Sequence, residues 1–421
     1  MPLAEDPDRP TSGTFRSLAG YNYRTWAVGA LVSNVGTWMQ RTAQDWLVLS
    51  ELTHKNATAV GVVMALQYGP HVLLLPITGF TADVLDRRKI LLATQTAMGA
   101  LALGLGLLTL TGVAALWHVY VFALLLGCVS AFDAPARQAF VSDLVVETDL
   151  SNAVGLNSAS FNAARMIGPA IAGVLITAAG TGWVFLLNAA SFGAVLASLG
   201  ALRRSELHLK SRAQRSRASL AEGFLYVWRR PDLKTILLMF FFVGTFGLNF
   251  PIFLSTMAVS VFHEGARQFG LLMSILAVGT VAGALLTARR AKPSIVHLVA
   301  GATMFGVGLT FAATMPSYIL FALPLVVVGV ASQTFTTGAN SLVQLSIEPA
   351  MRGRVMALFL AIAVGGTPIG APIVGWVADH FGPRWCLGVG AAGGFAAAIV
   401  GLYYLAQHRQ PAALSPITKG T

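Results

Sequence analysis

Gly79-Phe-Thr-Ala-Asp83-Val-Leu-Asp86-Arg87-Arg88-Lys89 ends one apolar stretch, and Gly283-Ala-Leu-Leu-Thr-Ala-Arg289-Arg290 ends another 204 residues later. Working outward, Phe132-x-x-x-Ala136 recurs as Phe335-x-x-x-Ala339 after 203 residues. Ile167-Gly-Pro-Ala-Ile-Ala-Gly173 recurs as Ile369-Gly-Ala-Pro-Ile-Val-Gly375 after 202. Each echo alone is weak, because Gly and Ala are abundant here. Three in the same order at one period mark a chain built of two similar halves.

Composition places those halves in a membrane. The chain is 55% hydrophobic and 11% charged, against about 25% charged in a soluble domain. Runs such as 90–120 and 295–346 are far longer than one span of ~20 residues, so each must hold several helices. Apolar windows bounded by charge, Pro or polar turns fall near 25–50, 57–82, 90–111, 117–139, 152–179 and 183–202. After a basic linker they fall near 234–261, 268–289, 295–313, 318–340, 355–379 and 385–406. The expected fold is an all-α membrane protein of twelve transmembrane helices in two pseudo-symmetric six-helix bundles. Its expected segments are a disordered arm (1–23), a first bundle (24–202), a linker (203–233), a second bundle (234–406) and a tail (407–421). Two such halves enclose a central cavity that rocking can open to either side.

The net charge of +11 has a positional explanation. Of the 28 Lys and Arg, 23 fall on segments that share one side of the membrane; Lys55, Arg267 and Arg384 fall on the other. By the positive-inside rule the basic side and both termini are cytoplasmic. The charge thus records topology and attraction to lipid headgroups rather than nucleic-acid binding. Residues 1–23 are polar, with Pro2, Pro7 and Pro10, and lack the apolar core of a signal peptide. Cys128 and Cys386 sit far apart in apolar runs and read as small packed residues. The Arg-rich, Ala- and Gly-rich composition suggests a GC-rich bacterial genome, and hence a bacterial inner membrane.

The motifs narrow the chemistry. Gly388-x-Gly390-x-x-Gly393 follows no strand and lies within a span, so it is no dinucleotide loop. No Gly-x-x-x-x-Gly-Lys-[Ser/Thr] loop occurs, which excludes an ATP-driven pump in this chain alone. No clustered nucleophile and base points to an enzyme, and no cofactor or metal is implied. Ionisable residues inside spans are the functional candidates. Asn34, Trp38, Arg41 and Asp45 follow at steps of four, three and four, on one helical face. Asp45 is the one acid placed deep in the apolar region. With Arg41 and Arg165 it forms the candidate proton-coupling set, although a static Arg41–Asp45 pair would satisfy the same spacing. Gln333, Thr336, Thr337, Asn340 and Gln344 line one face of span 10, and Phe242, Phe246, Asn249, Phe253 and Met257 one face of span 7. His71 and His118 read as packing or capping residues.

On these residues the chain resembles the major facilitator superfamily, over roughly residues 15–406. Gly79-x-x-x-Asp83-x-x-x-Arg87-Arg88-Lys89 is similar to that superfamily's cytoplasmic loop signature, with Val84 in place of the usual Arg and Asp86 in place of the usual Gly. Thr37 to Leu49, Asp133 to Phe140 and Asn157 to Gly173 resemble a bacterial exporter branch that includes the enterobactin exporter and the third family of drug:proton antiporters. Gly168-Pro169-x-x-x-Gly173 resembles the antiporter motif of span 5, lacking a further Gly before it and a closing Gly-Gly. The resemblance implies that spans 1, 4, 7 and 10 line the cavity, with Asn34, Trp38, Phe246, Asn249, Phe253, Gln333, Thr337 and Asn340 facing substrate. It implies a cytoplasmic gate of Gly79, Asp83, Arg87, Arg88, Asp133 and Arg354. In that gate Asp83 meets the start of span 11 and Arg87 reaches Asp133; Arg88 and Lys89 serve chiefly as positive-inside anchors. The implied function is a monomeric, proton-coupled exporter of a lipophilic small molecule, a drug or secreted metabolite. Its partners would be substrate, protons and membrane lipid, with no nucleic acid. Rival readings are a lipid or lysolipid flippase, an uncoupled facilitator, a non-transporting sensor and a membrane enzyme.

Overall fold

The computed structural model describes residues 13–208, 220–289, 293–348 and 351–408 of the 421-residue chain. A segment in hydrocarbon must satisfy every backbone N–H and C=O internally, and a helix does so alone. Among the described residues ten helices are long and apolar enough to cross a membrane. They are Arg87–Leu110, Leu116–Leu144, Glu147–Ala179 and Thr181–Ala201, then Pro231–Val261, Ala266–Ala288, Ile295–Thr314, Tyr318–Ser346, Arg352–Phe381 and Pro383–Gln407. Two further helical runs lie ahead of them. Residues 21–52 (Tyr21–Trp46 continued by Leu47–Leu52) carry too many Asn, Gln and Arg for a purely apolar span. Residues 57–84 are broken at Leu74 into Ala57–Leu73 and Leu75–Val84, where Pro76, lacking an amide proton, starts the second piece. In chain order these twelve are spans 1 to 12.

Spans 1–6 and 7–12 each pack as a bundle, and the bundles meet where span 2 lies along span 11 and span 5 along span 8. Gly61 faces the Ala371 carbonyl and Gly375 that of Ala57 so closely that a Cβ at either position would overlap backbone. Small residues thus let the halves touch main chain to main chain.

That contact is lopsided. At the end opposite the basic loops, Asp379 of span 11 sits at the N-terminus of span 2. It accepts hydrogen bonds from the Ala57 amide (2.7 Å) and the Thr58 amide (2.8 Å) and hydroxyl (2.5 Å). The Ser274 hydroxyl donates to the Met166 carbonyl at 2.7 Å, and Trp46 stacks on Phe269. Toward the basic end the halves diverge. Leu75–Val84 packs on span 4 of its own half, and Phe80 and Leu345 are exposed. The molecule is a V, closed at the end of Asp379 and open at the basic end.

Several boundaries differ from the sequence expectation. Residues 13–20 are not a loose arm: Arg16–Ala19 forms a turn, with Arg16 paired to Asp149 (3.1 Å) and the Ser17 amide bonded to Asn152 (3.1 Å). Span 1 accordingly starts at Tyr21. Span 7 starts at Pro231, in the first helical turn where a proline costs nothing. The linker holds a helix, Leu220–Trp228; residues 1–12, 209–219 and 409–421 of the expected arm, linker and tail lie outside the described residues. Cys386 is buried and Cys128 half-buried, both as free thiols.

Candidate functional site

The wall of the V from the first half is built on span 1, and its polar face behaves as the four-three-four spacing requires. Asn34 accepts from Arg137 of span 4 at 3.1 Å. One turn on, the Trp38 ring lies edge-on to Phe161 and has Arg41 and Arg165 at 5.0 and 5.6 Å from its centroid. Arg41 donates to the Tyr68 hydroxyl at 2.8 Å. Asp45 is 7% exposed, and Arg41, one turn earlier, is the charge acting on it. Among the described residues Asp45 forms no ion pair, so the static Arg41–Asp45 bridge is not made. Arg165 has no carboxylate partner among the described residues either.

The second half supplies an uncharged wall. A pocket of about 110 Å³ at the apex is lined by Trp38, Tyr68 and Arg165 on one side and Leu248, Phe250 and Met273 on the other. Ligand pockets typically span ~300–1,000 Å³, so a drug-sized ligand seated here would extend into the open cleft. Along span 10, Gln333, Thr337 and Asn340 are half-buried, with Gln333 bonded to Thr337 (2.9 Å) and Gln344 to Asn340 (2.9 Å).

Span 7 departs from its expected face. Phe253 and Asn249 are fully buried inside the second half, Asn249 donating to the Thr245 carbonyl at 2.7 Å, and Phe246 packs on Gly393 of span 12. Leu248, Phe250 and Pro251 line the pocket instead. The cause is local: a π turn at Val243–Gly247 and a non-helical Asn249 shift the helical phase, so a stripe counted at 3.6 residues per turn lands on the wrong face.

The basic end also pairs differently from expectation. Arg87 bonds Asp143 at 2.7 Å, not Asp133. Span 4 runs on to Leu144, so Asp133 lies ten residues, about 15 Å, deeper than Asp143. Asp133 is instead held by Arg137 (2.8 Å), Thr94 (2.8 Å) and Gln95 (2.6 Å). Arg88 donates twice to the Leu199 carbonyl at the end of span 6. Arg354 pairs with Glu222 of the linker helix at 2.7 Å. Gly79 stands in open space, and the side chain of Asp83 lies outside the described residues. Asp86, the residue that departs from the loop signature, is the N-cap of span 3, accepting from the Arg88 (2.9 Å) and Lys89 (3.3 Å) amides. None of these pairs crosses between the halves.

Sequence reasoning missed Tyr68, Arg137, Asp143 and Asp379, and read His71 only as a packing or capping residue. His71 approaches Ser130 at 3.3 Å and leaves Nδ1 buried without a partner. Three of these carried signals. Met64, Tyr68 and His71 repeat at helical spacing, and Asp133 and Arg137 are an i, i+4 ion pair. Among the described residues no cluster of His, Cys, Asp or Glu could hold a metal ion.

The model of a family described as transmembrane secretion effector matches residues 12–418. The enterobactin exporter EntS of Shigella flexneri is 27% identical, over 84% of this chain and 84% of its own. The multidrug efflux pump Tap of Mycobacterium bovis is 24% identical, over 84% and 86%. A POT family transporter solved with 5-aminolevulinic acid superposes with a TM-score of 0.73 at 14% identity, covering 92% of this chain and 96% of that one; it supports the fold alone.

Proposed function

We propose, from the premise that this chain belongs to the transmembrane secretion effector family of major facilitator transporters, that it is a proton-coupled exporter of a lipophilic small molecule, a drug or secreted metabolite. Its relatives export a siderophore and drugs. The observation that carries the reading is the V itself: a cleft sealed at one end and open at the other, with Asp45 buried two helical turns beyond the Trp38 wall and, among the described residues, in no ion pair. The basic, open end is cytoplasmic, and both termini lie there, in the inner membrane of a bacterium.

Each feature has a part in alternating access. Cargo enters from the cytoplasmic side and rests on Trp38, Phe250 and the polar face of span 10. Rocking then parts the Asp379 contact and closes the basic end, where Asp83 meets the start of span 11 beside Arg354. A proton arriving from outside on Asp45 drives the return. One charge moving through 100 mV is worth about 2.3 kcal/mol, roughly a fifty-fold gradient of neutral cargo.

The test is accumulation of fluorescent amphiphiles of opposite charge, dansylglycine and dansylcadaverine, in proteoliposomes with an imposed pH gradient. Uphill movement of at least one, abolished by nigericin, is the expected result. Equal behaviour with and without the gradient for both would refute proton coupling.

A further inference from the structure

Resting on the reading of the cleft as a transport path, we propose that its apex is an anion subsite. There Arg41 and Arg165 receive an oxyanion group, such as a carboxylate, of an amphiphilic cargo whose apolar body lies against Leu248, Phe250 and Met273.

Several arginines elsewhere in the fold meet strong acceptors, Arg88 a backbone carbonyl and four others an acid. Arg87, Arg137, Arg230 and Arg354 pair with Asp143, Asp133, Asp232 and Glu222 at 2.7 to 2.8 Å. The two at the apex do not. Arg41 bonds only the neutral Tyr68 hydroxyl and leaves its Nε buried without an acceptor. Arg165 is held by the face of Trp38. A guanidinium inside a span is costly unless it meets water, protein charge or ligand, and here two are gathered around one indole.

The charge count points the same way. With Asp45 ionised, Arg41 and Arg165 leave one positive charge unbalanced, which a monoanion cancels. The facing wall contributes Leu248, Phe250, Pro251, Met273 and Thr367, with no ionisable group to compete. Guanidinium forks bind carboxylates with two parallel hydrogen bonds, while the aromatic and aliphatic wall accepts an apolar body. A cationic cargo would face the arginines' repulsion with no carboxylate but Asp45 to offset it.

The purified full-length protein in detergent is titrated with dansylglycine and dansylcadaverine, with binding followed by dansyl fluorescence. The expected result is tighter binding of dansylglycine, weakened about tenfold or more by Arg165→Gln and largely restored in Arg165→Lys. Thermal melts of both variants should match the wild type, so that misfolding is set apart. Dansylcadaverine bound as tightly as dansylglycine, or dansylglycine indifferent to Arg165→Gln, overturns the subsite. In proteoliposomes, gradient-driven movement of dansylcadaverine alone would overturn the anion subsite and leave the exporter standing. Absence of driven movement of either dye, with Arg165-dependent dansylglycine binding retained, would overturn the exporter and keep the subsite.

Discussion

Asp379→Asn should loosen the sealed end of the V by a calculable amount. In the structure the Asp379 carboxylate caps span 2 across the interface, one oxygen on the Ala57 amide and the other on the Thr58 amide and hydroxyl. Asparagine keeps one acceptor oxygen and loses the charge that complements the helix N-terminus. A capping interaction is worth about 1 kcal/mol, and a charge at an exposed helix end about 0.3–1. Asp379 is exposed, which holds the total to about 1–2 kcal/mol. That shifts the equilibrium between the two openings by roughly five- to thirtyfold. If the outer end is open in about 1% of wild-type molecules, the variant would show about 5–25%. Spin labels at Val113→Cys and Ile319→Cys, both exposed at that end on opposite halves, report the distance by double electron–electron resonance after Cys128→Ser. A second, longer distance should emerge in Asp379→Asn. A distribution unchanged from the wild type, in a variant that melts normally, would refute the idea that this cap holds the end shut.

Three further outcomes follow from the same geometry. Asp143→Asn turns the 2.7 Å ion pair with Arg87 into a neutral hydrogen bond, so detergent melts should show a loss of about 1–2 kcal/mol, with Asp133→Asn acting independently because the two sites share no bond. Phe253→Ala should cost stability by about 3–5 kcal/mol while leaving dye selectivity alone, because the ring is fully buried in the second half; Phe250→Ala should change dye affinity. Gly375→Val places a branched side chain against the Ala57 carbonyl and should add the same longer distance between spin labels at Val113→Cys and Ile319→Cys.

The fold was legible because lipid leaves few choices. A chain this apolar must be helical, and the period near 203 residues gives the two halves. The Asn34, Trp38, Arg41 and Asp45 face was legible for a similar reason, since span 1 is regular helix to Trp46. Span 7 was not, because the π turn at Val243–Gly247 and the break at Asn249 reset the phase that periodicity assumes constant. The Arg87 partner was misread because an error of a few residues in where span 4 ends moved Asp133 to the surface on paper. Asp379 gave no signal at all: its role depends on which helix end the other half brings to it, and that is a property of the assembled V.

The most direct test of the account separates binding from coupling in Asp45→Asn. Proteoliposomes are assayed twice, for exchange of dansylglycine at equilibrium and for its uphill movement under a pH gradient. The variant should exchange dye as the wild type does and concentrate none. Undiminished uphill movement without the Asp45 carboxyl would contradict it.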